Sequence, residues 1–143
     1  MKRFALILSI AFLAFGMLSC SGSSEKKTTE TNKVEVTEVA KVLVYYFHGK
    51  QRCRTCVAIQ NVSQEAITEA FAENPDVKFV EIDFSERTNA ALADKYEIAF
   101  SSLVVATSTE HINLTDFAFS NVMSNPDDLK ETIVAEVNNF LNK

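Results

Sequence analysis

Val42-Leu43-Val44-Tyr45-Tyr46-Phe47, a five-residue loop, and then Cys53-Arg54-Thr55-Cys56 carry the decision on the fold. The first run is β-branched and aromatic, as a buried strand is. After the cysteines, Val57 to Phe71 repeats apolar residues at helical spacing: Ile59, Val62, Ala66 and Ala70, with Ile67 and Phe71 beside them. Two thiols separated by two residues on the first turn of a helix lie close enough to form a disulfide. The free backbone N–H groups and dipole of that helix end favour a thiolate. Strand, loop, CxxC and helix together make a reversible two-electron switch.

The elements that follow extend the unit. The CxxC helix is expected to stop near Glu73-Asn74-Pro75, because proline cannot continue it. Val77 to Phe84 reads as a second strand, Thr88 to Tyr96 as a short helix burying Leu92 and Tyr96, and Ser102 to Thr107 as a third strand. Ile112 to Phe119 alternates as a fourth strand would, with Leu114, Asp116 and Ala118 on one face and Phe117 and Phe119 on the other. Phe79, Phe84, Phe117 and Phe119 are read as core packing. Asn125-Pro126-Asp127-Asp128 starts a last helix, with Asn as cap, Pro at the first position and acids in the first turn. Its buried stripe is Leu129, Ile133, Val137, Phe140 and Leu141. Val34 to Val39 alternates weakly and is expected as an edge strand. A βαβ start implies a parallel pair with a right-handed crossover, and hence a mixed sheet of four to five strands with helices on both faces.

The N-terminus reads as a leader. Lys2 and Arg3 precede an apolar stretch from Phe4 to Leu18, too short for a stable membrane span. Met17-Leu18-Ser19-Cys20 looks like the lipobox of bacterial lipoproteins, which implies cleavage after residue 19 and a lipid anchor on Cys20. Residues 20–33 are then a Ser/Thr/Lys/Glu-rich tether, and residues 34–143 are one domain. The expected location is the cell envelope, lipid-anchored to a membrane and facing the periplasm or the exterior. Losing Lys2 and Arg3 moves the formal net charge from −5 to −7, a balance that gives no reason to expect nucleic-acid binding. With Cys20 assigned to the anchor, Cys53 and Cys56 are the remaining cysteines, so the domain is not a disulfide-stapled scaffold.

The CxxC after a strand, with the element order around it, resembles the thioredoxin fold across nearly all of residues 40–143. The resemblance implies that Cys53 is the exposed nucleophile and Cys56 the buried thiol that resolves the mixed disulfide, and that the partner is a protein thiol or disulfide. Arg52 and Arg54 flank Cys53, and their charge favours its thiolate. The sequence departs from the family at four places. No Trp precedes the motif, and the loop before it is about two residues longer than in thioredoxin. Tyr45 and Tyr46 stand in the strand where a buried acid is common. Ser101 takes the position of the cis-proline that faces the cysteines. A cis bond before a non-proline residue costs about 2.5–4 kcal/mol, so the Phe100–Ser101 bond is expected to be trans or locally rearranged.

The run from Tyr45-Tyr46-Phe47-His48-Gly49 through Arg52-Cys53-Arg54-Thr55-Cys56 also resembles the ArsF-type group of thioredoxin-like proteins, described as a nitrophenyl-compound nitroreductase subunit. That resemblance implies a redox accessory role. With only three glycines and no GxGxxG, the sequence shows no flavin or nicotinamide motif, so nitroreductase activity is not carried over and no cofactor is expected. Three readings stand side by side. One is a membrane-anchored thiol–disulfide oxidoreductase using Cys53 and Cys56. Another is a metal-binding module with Cys53, Cys56 and His48 as ligands and His111 a distant fourth. The third is a binding module that keeps the fold without the chemistry.

Overall fold

The computed structural model describes residues 40–143. The expected leader, the Cys20 anchor, the tether and the Val34–Val39 strand lie outside the described residues. The described chain runs β1 (Val42–His48), α1 (Arg54–Phe71), β2 (Val77–Asp83), a 3₁₀ turn (Arg87–Asn89), α2 (Ala90–Lys95), β3 (Ser102–Ala106), β4 (His111–Asn113), α3 (Thr115–Asn121) and α4 (Pro126–Leu141). The strands form one mixed sheet in the order β2-β1-β3-β4. β2 pairs parallel with β1, whereas β3 pairs antiparallel with β1 and β4 antiparallel with β3. This is the thioredoxin-like arrangement expected from the sequence, with four strands among the described residues.

Alternation along β1 sends its side chains to two cores. Val42, Val44 and Tyr46 join Leu103 and Val105 of β3 on one face, under Ile59, Ala66 and Ile67 of α1 and Leu129, Ile133 and Val137 of α4. Tyr45 and Phe47 face the other way, with Ile82, Val104 and Ala106, and Tyr96 covers them. Three layers result: α1, α3 and α4 on one side, the sheet, and the short α2 segment on the other. Burial on this thinner side pushes the Tyr45 phenol up to about 12, the charge of neighbouring Tyr96 adding to the effect.

Two expectations at the ends of elements need revision. The fourth strand does not run from Ile112 to Phe119. β4 stops at Asn113, and α3 takes over from Thr115. The reason is visible in the packing. Leu114, Ala118 and Val122 are buried at i, i+4 and i+8, a helical stripe. Thr115 Oγ1 accepts the Leu103 backbone N–H at 3.0 Å, and Asn113 Oδ1 accepts the Thr115 backbone N–H at 2.9 Å. These side-chain bonds turn the chain out of the sheet. Phe117 and Phe119, expected in the core, are exposed on the outer face of α3. At α4, Asn125 occupies the cap position and Pro126 the first helical position, but the Asn125 side chain makes no cap hydrogen bond. The α1 stripe is buried at Ile59, Ala66 and Ile67 and half-buried at Val62 and Phe71, while Ala70 is exposed. No helix among the described residues is long and apolar enough to cross a membrane.

Candidate functional site

β1 ends at His48, and the loop through Gly49 to Arg52 brings Cys53 to the start of α1. Cys53 is the cap residue of that helix, with extended backbone (φ −77°, ψ 161°), and its sulfur accepts the Cys56 backbone N–H at 3.0 Å. A cap residue accepts one of the helix's otherwise unpaired N–H groups; here the acceptor is the Cys53 sulfur. The first turn holds no acidic residue to oppose a negative sulfur. Cys53 and Cys56 are joined by a disulfide, with their Cα atoms 5.0 Å apart. Cys53 is exposed, and Cys56 is only 7% exposed. The two residues therefore differ in exposure.

Beneath the helix start lies Tyr46, fully buried. Its hydroxyl donates to the Cys56 carbonyl at 2.7 Å. Burial pushes the Tyr46 phenol above its ordinary value, while Ser101 and the Arg52 cation act in the lowering direction. Ser101 directly precedes β3, whose first residue Ser102 pairs with Phe47 near the end of β1. The Phe100–Ser101 bond is trans, there being no cis peptide among the described residues. The adjoining Phe100 is 57% exposed.

Arg52 and Arg54 fare differently. Arg54 opens α1 and is exposed, making no ion pair among the described residues. Arg52 turns inward: its guanidinium lies over the Tyr46 ring, 5.9 Å from the centroid, and Nη1 donates to Glu81 Oε1 at 2.9 Å. Its Nε and Nη2 are shielded from solvent and find no acceptor among the described residues.

Glu81 is the residue that sequence reasoning missed. It pairs with Tyr46 across the parallel β1–β2 ladder, on the face covered by α1. Its Oε1 meets Arg52 and also His48 Nε2 at 3.0 Å, while Oε2 accepts from Gln60 Nε2 of α1 at 2.6 Å. A carboxylate thus ties together β2, the end of β1, the loop and α1. The signal in the sequence was faint: Val77, Phe79 and Glu81 share a face, and the acid marks where the apolar run ends.

His48 is engaged on both ring nitrogens, with Nδ1 3.0 Å from the Gly49 carbonyl oxygen and Nε2 on Glu81. Its ring stacks on Tyr46. Cys53, Cys56 and His48 do not assemble as a ligand set, and no group of three His, Cys, Asp or Glu side chains among the described residues is placed to hold a metal ion. His111 is exposed and sets its ring edge-on to Tyr96. Asp83 bonds locally: its carboxylate accepts from the Ser85 hydroxyl and backbone N–H, which hold it below the usual carboxylate value.

No protein-family model matches the sequence, and no curated protein sequence matches it. Among solved structures, the chain is similar to Fasciola hepatica thioredoxin, at 24% identity and a TM-score of 0.43, over 68% of this chain and 82% of that one. It is similar also to human ERp44 form I, at 19% identity and a TM-score of 0.49, over 79% of this chain and 30% of that one. The zinc-bound form of human ERp44 matches at 20% identity and a TM-score of 0.45, over 64% of this chain and 28% of that one. The chain therefore spans about 30% of the ERp44 polypeptide.

Proposed function

We propose that the protein is a thiol–disulfide oxidoreductase or redox relay, tethered to a membrane by lipid on Cys20. One observation carries the redox reading: Cys53 is exposed as the cap of α1 and bonded to the buried Cys56 in a disulfide. In the reducing direction, the Cys53 thiolate attacks one sulfur of a partner disulfide. That bond breaks, and the departing partner sulfur takes up a proton. The Cys56 thiolate then attacks Cys53 Sγ and releases the second partner sulfur. Two electrons pass to the partner, and the Cys53–Cys56 disulfide is left behind. The same steps reversed oxidise a partner dithiol. The Cys56 N–H and the helix end stabilise the attacking Cys53 thiolate. Val57, which directly follows the motif, is exposed and suits a partner that presents an apolar protein segment.

The reduced domain is expected to alkylate at Cys53 well before Cys56, because access and the helix end both favour the first sulfur. Peptide mapping after brief iodoacetamide treatment checks this, and reduction of insulin by the dithiol form checks turnover. Prior modification of Cys56, or a disulfide that does not exchange with glutathione, sinks the reading.

The membrane half of the proposal rests on the Met17-Leu18-Ser19-Cys20 run. Full-length protein expressed in a bacterial host is expected to incorporate labelled palmitate and to sediment with membranes. A Cys20→Ser chain is expected to do neither. Equal labelling of both chains contradicts the anchor.

A further inference from the structure

The disulfide is neutral, but its reduction can place an anion on Cys53. A fixed cation nearby therefore stabilises the reduced form and raises the reduction potential, and a fixed anion lowers it. Both charges are present here. Arg52 directly precedes Cys53, and its guanidinium is held inward over Tyr46, whose hydroxyl grips the Cys56 carbonyl. Two of its three nitrogens have no acceptor among the described residues, so the cation is not spent on a saturated salt bridge. Glu81 takes the third, and it is fixed in turn by Gln60 and His48. Of the other charged groups at this end of the sheet, Lys50 and Arg54 are exposed and Asp83 is engaged with Ser85.

We propose that Arg52 and Glu81 form a charge pair that sets the reduction potential of the Cys53–Cys56 couple, with Glu81 as the positioning residue that holds Arg52 over Tyr46 and offsets part of its charge. The inference rests on the redox reading above. The measured reaction is the disulfide plus two glutathione thiols giving the Cys53–Cys56 dithiol and glutathione disulfide. The protein's S–S bond breaks, and glutathione supplies both electrons and both protons.

The pair predicts shifts of opposite sign. Glu81→Gln keeps an oxygen acceptor for Arg52 but removes the negative charge, so the equilibrium is expected to move about threefold or more toward the dithiol. Arg52→Met removes the cation and is expected to move it about threefold or more toward the disulfide. A tenfold change corresponds to about 30 mV for this two-electron couple. Arg52→Lys keeps the charge and is expected to stay closer to wild type than Arg52→Met. The Glu81→Gln/Arg52→Met double variant is expected to fall between the singles, since the two groups act on one another. Equilibria in glutathione redox buffers, read by alkylation and mass shift, give all five values.

Shifts of the same sign in the two single variants, or shifts under twofold in both, overturn the charge pair, because structural damage has no reason to alternate in sign. Should Glu81→Gln fail to fold by circular dichroism, the arginine variants decide. A potential lowered equally by Lys and Met overturns the proposal, and one lowered by Met alone supports it. A wild-type disulfide that does not equilibrate with glutathione overturns the redox reading and the charge pair with it. A reversible wild-type couple unmoved by the variants overturns the charge pair alone.

Discussion

A Cys56→Ser chain is expected to accumulate as a covalent complex with its redox partner. Cys53 remains at the cap of α1, exposed and with the Cys56 position's backbone N–H still available to its sulfur. The first attack therefore proceeds. What is lost is the second thiol, held three residues away on the same turn, and with it the intramolecular route out of the mixed disulfide. Effective molarities for well-oriented groups reach about 10⁵ M or more, so small-molecule thiols at millimolar concentration replace the missing sulfur poorly. Acid quenching, blocking of free thiols and non-reducing electrophoresis are expected to show a slower-migrating species that collapses on reduction. A Cys53→Ser chain is expected to show none, because Cys56 is buried. Equal trapping by both variants reverses the assignment of roles, and trapping by neither in oxidising cells favours a module that uses the fold for binding alone.

The sheet and the CxxC motif were legible in the sequence because their signals are local. A β-branched and aromatic run, a CxxC and an apolar helix stripe each fall within a few residues, and the observed β1 and α1 lie where those signals place them. The α4 start was legible in the same way, although Asn125 does not use its side chain as a cap. Residues 112–119 misled for a physical reason. Leu114 and Ala118 are four apart, a spacing that lies on one face of a strand and on one face of a helix alike. Val122, the third member of the helical stripe, lay beyond the expected strand. The bonds that decide the matter, from Thr115 to Leu103 and from Asn113 to Thr115, include one partner twelve residues away.

The candidate site divides along the same line. Cys53, Cys56 and their unequal access follow from position on a helix end. Arg52 and Arg54 read alike in sequence, yet the structure separates them, one folded in against Glu81 and Tyr46 and one left in solvent. Glu81 reaches Arg52, the residue before Cys53, only because β2 pairs with β1 in the register that sets it beside Tyr46. Register between strands whose paired residues lie 35 apart in sequence is a property of the assembled sheet. His48 follows the same pattern: it lies near the motif in sequence, but its nitrogens are turned to Gly49 and Glu81.

The helical state of residues 115–121 makes a stability prediction that a strand does not share. Ala118 is fully buried, in the core that α1 and α4 also line. Ala118→Asp places a carboxylate there with no cation in that cluster, and it overfills a site sized for a methyl group. An uncompensated buried charge costs about 3–5 kcal/mol, and overpacking acts in the same direction. Phe117 and Phe119 lie on the outer side of α3, 38% and 36% exposed. Phe117→Ser and Phe119→Ser are therefore expected to cost less, about 1 kcal/mol or below, since much of each ring already meets solvent. Urea unfolding of residues 40–143 with the disulfide intact, followed by far-ultraviolet circular dichroism, orders the three variants. A strand with its phenylalanines turned to the core requires the reverse order: severe loss for the two rings and tolerance at the alanine. Observing that order overturns the helical assignment and, with it, the seating of α3 against α1.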